Sequence, residues 1–236
     1  MATELAPSVR GVDLETSTAA PLGVLGGTFD PIHTGHLRLA EEAREALGLG
    51  GVRLTPAGQP PHRGEPGSTA EDRLAMARLA AAGNPGFMVD DGEVRAQQKS
   101  YTVLTLERLR AEIGPRRPLV LILGADAFAG LPTWHRWTDL FALAHLAVAN
   151  RPGYAPHGRR WPATLSPELD AACAGRHTAD PAELRHTPAG RVVPFDMTPL
   201  AISASLIRDL VRNGHSARYL LPESVLDYIA AHHLYR

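Results

Sequence analysis

From Pro21 onward the chain alternates short apolar runs with longer amphipathic stretches. The runs LGVLGG (22–27), VRLTPA (52–57), FMVDD (87–91), PLVLILG (118–124), HLAVANR (145–151) and RVVPFD (191–196) predict strands. LVLIL has no polar alternation, which suits a strand covered on both faces and hence a parallel sheet. Helices are predicted between the runs. TGHLRLAEEAREALG ends at Gly48, a good C-terminal stop. STAEDRLAMARLAAAG opens on a capping-box pattern, Ser68/Thr69 with Glu71/Asp72, and ends at Gly83. YTVLTLERLRAEIG stops at Gly114, and ISASLIRDLVRNG stops at Gly214. A last helix ends at His232 and His233. This order predicts the α/β class: a Rossmann-like doubly wound parallel sheet, helices on both faces, and a C-terminal helical segment. Residues 1–20 read as a mobile tail and 21–236 as one domain. An insertion at about 155–190 is expected to hold one short helix, SPELDAACAG, plus loop.

Composition narrows the classes. At 236 residues the length suits one large domain or two small ones. The net charge of −1 implies no polyanion-binding surface, so no nucleic-acid partner is expected. Lys99 is the only lysine, and Cys173 is the only cysteine, which excludes an intrachain disulfide and a thiolate metal cage. No apolar run approaches the ~20 residues of a membrane span, and the N-terminus has no apolar signal core. The expectation is a cytoplasmic enzyme.

The candidate chemistry lies at the carboxyl end of the first strand, the usual ligand site of an open parallel sheet. Gly26 and Gly27 sit there, and lacking Cβ atoms they let the backbone approach a phosphate closely. The next helix starts near Thr34–Gly35, and its free N–H groups and positive dipole end face the same place. His33 and His36, three apart, share a face of that first turn and can donate to phosphate oxygens. Taken singly these features are weak. A Gly-Gly turn is common, and two histidines three apart are more often surface residues. A zinc site needs a third ligand, and none is offered nearby. The spacing also fails G-x-G-x-x-G and lacks the P-loop lysine.

A second anion site is read in ISASLIRDLVRNG. Ser203 or Ser205 can cap the helix, with Leu206 and Leu210 expected to face the core. The exposed N–H groups, the serine hydroxyls and Arg208 can hold another part of a polyphosphate. Asp126 ends the LILG strand where ribose hydroxyls would lie, or else caps the next helix. Trp134 of TWHRW suits stacking on a flat ring.

The full string GGTFDPIHTGH (26–36), opening a helix, resembles the H-x-G-H nucleotidyltransferase superfamily. Within it the chain resembles the bacterial nicotinate-nucleotide adenylyltransferases. Further blocks carry the resemblance in the same order: PAGQPPHR (56–63), SYTVLTL (100–106), GADAFAGLPTWHRW (124–137), NRPGY (150–154), ISASLIRDLVRNG (202–214) and YLLPESVLDYIAAHHLY (219–235). The resemblance implies transfer of AMP from ATP to nicotinate mononucleotide, giving deamido-NAD and pyrophosphate. It implies His36 and His33 as donors to the transferring phosphate and Arg208 as clamp on the leaving group. Gly26, Gly27, Thr28, Phe29, Gly35, Asp126, Arg151, Ser203 and Ser205 would bind ATP. His62, Arg63, Thr102, Trp134 and His135 would bind the acceptor, its ring on Trp134 and its carboxylate on N–H groups near Thr102 and His135. Ala204 stands where the stricter motif has a serine, and Arg63 where lysine is common. Mg2+ would arrive on the ATP phosphates, with no protein metal site. The expected partners are small molecules alone, for a monomer or small homo-oligomer.

Three other readings remain open on the residues. One is the same chemistry on nicotinamide mononucleotide or phosphopantetheine. Another is a nucleotide-binding module without turnover. The third is a fragment of a class I aminoacyl-tRNA synthetase, against which stand the missing K-M-S-K-S-like loop and the sparse basic surface.

Overall fold

The computed structural model describes residues 20–61, 65–96, 98–150 and 165–236. Among these, six strands make one all-parallel sheet: β1 (Leu22–Gly27), β2 (Gly51–Pro56), β3 (Phe87–Val89), β4 (Leu119–Gly124), β5 (His145–Asn150) and β6 (Val192–Asp196), in the order β3-β2-β1-β4-β5-β6. The helices are α1 (Thr34–Ala46), α2 (Ala70–Ala81), α3 (Gly92–Arg95), α4 (Thr102–Ile113), α5 (Ala125–Ala129), α6 (Leu140–Leu143), α7 (Pro167–Cys173), α8 (Ala204–Arg212) and α9 (Glu223–Ala231). All six predicted strands form, with ends moved by two residues at most. The three turns of Gly48, Gly114 and Gly214 adopt positive φ as helix stops. The four-residue α3 was not foreseen; the Asp90 carboxylate accepts from the Gly92 N–H at 2.9 Å and sets its start.

LVLIL behaves as its lack of alternation predicts. Val120 and Ile122 enter one apolar layer with α1, α2, α8 and α9; Leu119, Leu121 and Leu123 enter the other with α4, α5, α6 and α7. Pattern and outcome differ in α8: Ile207 is fully buried, whereas Leu206, expected inside, is 41% exposed. With Ser203 as N-cap, the helix phase turns Ile207 inward and Leu206 out. The described part of the insertion, residues 165–190, holds more than the one expected helix. Beside α7 it forms a 3-10 turn at Pro181–Arg185, and Leu169, Cys173 and Leu184 are all buried.

Strand pairing prepares the site. β1 pairs with β2 along its full length, from Leu22↔Gly51 to Gly27↔Pro56. With β4 it pairs only over Leu22↔Leu119, Gly23↔Val120 and Val24↔Leu121. Beyond Val24 the two strands part at their carboxyl ends. The strand order reverses there, so the gap is the topological switch point at which such sheets bind ligands. Buried Arg53 of β2 bonds Glu112 of α4 at 2.7 Å and Asp90 at 3.4 Å, while Arg108 also pairs with Asp90. This network fixes α4 against the strand edge.

Candidate active site

The turn from β1 to α1 is shaped by one folded-back aromatic ring. Phe29 adopts φ +53° and is 2% exposed. A Cβ on Gly27 would come within 2.7 Å of that ring, so Gly27 is glycine first because Phe29 lies over it. Phe29 in turn meets the His36 ring edge-on at 5.0 Å between centroids, so what it does in the site it does through His36.

His33 is the N-cap residue of α1 and His36 lies in its first turn, so the expected shared face forms by stacking: the rings are 3.7 Å apart at 25°. The His33 N–H donates to His36 Nδ1 at 3.2 Å. A ring nitrogen that accepts carries no proton, which assigns the His36 proton to Nε2. His33 is 6% exposed, and its Nδ1 has no hydrogen-bond partner among the described residues. Burial lowers its pKa to about 4, so the ring is neutral near pH 7. The helix end is narrower than the sequence implied. The Thr34 N–H donates to the Leu220 carbonyl at 2.9 Å and the His36 N–H to the His33 carbonyl at 2.9 Å. Gly35 keeps the N–H with no acceptor among the described residues.

The start of α8 lies against this turn. Ile202 sits 3.9 Å from where a Gly35 Cβ would be. Ser203 caps α8, its hydroxyl accepting from the Leu206 N–H at 3.1 Å. Arg208 Nη1 donates to the Asp30 carbonyl at 2.7 Å, and Nη2 donates to Ser205 Oγ at 3.3 Å. The two helix openings thus share one guanidinium bridge, although 178 residues separate its ends.

Thr102 and His135, both expected at the acceptor, are brought together through Tyr101. Tyr101 is the N-cap of α4 and Thr102 its first residue. The Tyr101 and His135 rings lie 4.4 Å apart, and half-buried Trp134 packs on the second apolar layer. Arg136, at φ +51°, anchors this loop to α4 through Glu107 at 2.7 Å. Ser100 Oγ accepts from the Gly58 and Gln59 N–H groups at 2.8 and 3.1 Å, which ties the loop after β2 to the same place. Asp126 is exposed in α5, but Gly124 is that helix's N-cap, so the capping role weighed for Asp126 falls away. His62, Arg63 and Arg151 lie outside the described residues.

Sequence reasoning missed Arg73 and Asp30. Arg73 is buried on α2, its guanidinium donating to the carbonyls of Thr28 and Gly58 at 2.9 Å each and to that of Ala57. The signal was an arginine within the apolar stripe Arg73, Leu74, Met76, Ala77. Its hydrogen bonds join the β1 and β2 loops. No three metal-ligating side chains come together among the described residues. No described helix is long and apolar enough to cross a membrane.

At the sheet's switch point two helix openings lie against each other, imidazoles on one and a guanidinium on the other, an arrangement that can hold a polyphosphate, and the fold is that of a nucleotidyltransferase enzyme. A family model described as cytidylyltransferase-like matches residues 24–210, and the chain belongs to that family. A protein of Dechloromonas aromatica (strain RCB) named "Probable nicotinate-nucleotide adenylyltransferase" is 60% identical over 216 residues, 92% of this chain and 98% of its own. One of the same name from Aeromonas salmonicida (strain A449) is 48% identical over 217 residues, again 92% and 98%. Among solved structures, Plasmodium falciparum nicotinic acid mononucleotide adenylyltransferase complexed with NaAD shares the fold, with a TM-score of 0.67 at 14% identity, covering 92% of this chain and 97% of that one.

Proposed function

We propose that this enzyme transfers the adenylyl group of ATP to nicotinate mononucleotide, forming deamido-NAD and releasing pyrophosphate. One observation supports the reading: the Arg208 hydrogen bond to the Asp30 carbonyl ties the imidazole turn to the opening of α8. The match to the relatives along nearly their whole length supports the choice of reaction.

The acceptor's phosphate oxygen is already an anion near neutral pH, so it attacks the α-phosphorus with no protein nucleophile. The new P–O bond forms as the bond to the β-phosphate bridging oxygen breaks, and pyrophosphate departs with that electron pair. The protein positions two anions and stabilises the charge that develops between them. His36 Nε2–H donates to the α-phosphate, with His33 beside it. Gly26, Gly27, Thr28 and the Gly35 N–H border the triphosphate. Arg208, Ser203 and Ser205 hold the leaving β- and γ-phosphates. Asp126 and Arg151 serve the adenosine side.

The acceptor's pyridine ring stacks on Trp134, with its carboxylate on the N–H groups near Thr102 and His135 and with His62 and Arg63 over its phosphate. An N–H donor left facing a carboxamide NH2 has no acceptor, which favours nicotinate over nicotinamide. Mg2+ enters as part of the Mg–ATP substrate and offsets phosphate charge. The reaction uses diffusible substrates, which suits a cytoplasmic monomer or small homo-oligomer built as one domain from residue 21 onward. Pyrophosphate release should be measured with Mg–ATP and either mononucleotide. Strong preference for nicotinate mononucleotide is expected; equal turnover of the amide sinks the acceptor assignment.

A further inference from the structure

Asp30, in the middle of the β1–α1 turn, is 5% exposed and gathers partners from distant parts of the chain. Its Oδ1 accepts from the Ser68 hydroxyl at 2.6 Å and the Tyr235 hydroxyl at 2.9 Å. Its Oδ2 accepts from the Gly67 N–H at 2.7 Å and lies 3.6 Å from Arg208 Nη1. The same Nη1 donates to the Asp30 carbonyl, so Asp30 holds Arg208 by both its backbone and its side chain.

We propose that Tyr235, next to the last residue, is a positioning residue of the reaction: its hydroxyl fixes the Asp30 carboxylate, which in turn fixes Arg208 and the imidazole turn. The inference rests on the adenylyl-transfer reading. Three further observations carry it. Tyr235 is only 7% exposed and adopts φ +65°, a left-handed conformation uncommon for a bulky residue. Its ring, the Gly67 backbone and the Arg208 stem pack without a gap: a Cβ on Gly67 would lie 3.1 Å from the ring and 3.4 Å from Arg208 Cδ. Burial also pushes the Tyr235 hydroxyl well above the ordinary tyrosine range, so it remains a donor wherever the protein is folded.

Removing this one hydroxyl takes a donor from Asp30 Oδ1. The carboxylate then draws harder on the guanidinium, which leaves its post on the Asp30 carbonyl. Small displacements of a phosphate clamp act on rate more than on binding.

The test is Tyr235→Phe, which keeps the ring and its packing. Roughly a ten-fold fall in kcat is expected, with KM for both substrates within about two-fold of wild type. In combination with Arg208→Lys the losses should not multiply, because both changes disturb one unit. Unchanged kcat, or losses that multiply, overturns the proposal. Should Tyr235→Phe fail to fold, Ser68→Ala removes the other hydroxyl on Oδ1 and is read by the same coupling to Arg208→Lys. A wild-type enzyme that releases no pyrophosphate with either mononucleotide removes the functional reading and this inference together. Normal wild-type turnover beside an unaffected Tyr235→Phe removes this inference alone.

Discussion

The proton on His36 is placed by a backbone group. Because the His33 N–H occupies Nδ1, the remaining ring nitrogen is the donor, and the neighbouring Phe29 edge keeps the ring from turning. His36→Ala should therefore lower kcat about 10²- to 10³-fold, equivalent to about 2.7–4 kcal/mol of barrier, while the circular dichroism spectrum stays that of the wild type. Retained turnover would remove His36 from the chemistry. His33 titrates in a way that its sequence position does not reveal. Its pKa is about 4 in the folded state against 6.5 unfolded, so between these values the unfolded chain binds the proton and the folded one does not. Its contribution to stability is complete above pH 6.5 and is lost as the pH falls towards 4. Buried His145 is depressed in the same direction, chiefly by desolvation. His33→Gln should reduce the slope of unfolding free energy on pH in this window by at most about 1.4 kcal/mol per pH unit, measured by urea denaturation. A slope equal to that of wild type refutes the burial argument.

At the scale of elements, helix ends do two tasks at once. Ser203 is the N-cap of α8, and its hydroxyl is already engaged with the Leu206 N–H. Ser203→Ala should cost about 1 kcal/mol in urea denaturation, whereas Ser203→Gly should cost only a few tenths. Because each variant removes the hydroxyl proposed to hold phosphate, both should raise KM for ATP alike, and an unchanged KM would leave Ser203 a cap alone. The capping box of α2 shows how a neighbour is freed for other work. Thr69 and Asp72 close the box, and Ser68, offered by the sequence as an equal candidate, turns instead to Asp30. Apolar period and stop residues made these helices legible. The start of α2 was ambiguous by one residue because two adjacent hydroxyl residues preceded two acids.

At the scale of the whole molecule, both apolar layers share one sheet, and the Arg73 and Asp30 hydrogen bonds join the loops at its carboxyl end. Unfolding should therefore be a single step: far-ultraviolet dichroism, and tryptophan fluorescence from Trp134 and Trp137 on the second layer, should give coincident urea transitions. Separate midpoints would show that the two layers are independent units. The four-residue helices α3 and α6 had no pattern long enough to announce them, whereas the sequence alone determined the six strands, the longer helices and the parallel character of the sheet. Each of these is local: a period, a cap, a stop, or an apolar run that reports burial by itself. Only tertiary structure decided that Tyr235, Ser68 and Arg208 gather on Asp30, and that Arg73 joins the β1 and β2 loops. Those outcomes depend on contacts between residues as much as 205 positions apart, and no local pattern encodes which distant partner a buried carboxylate will find.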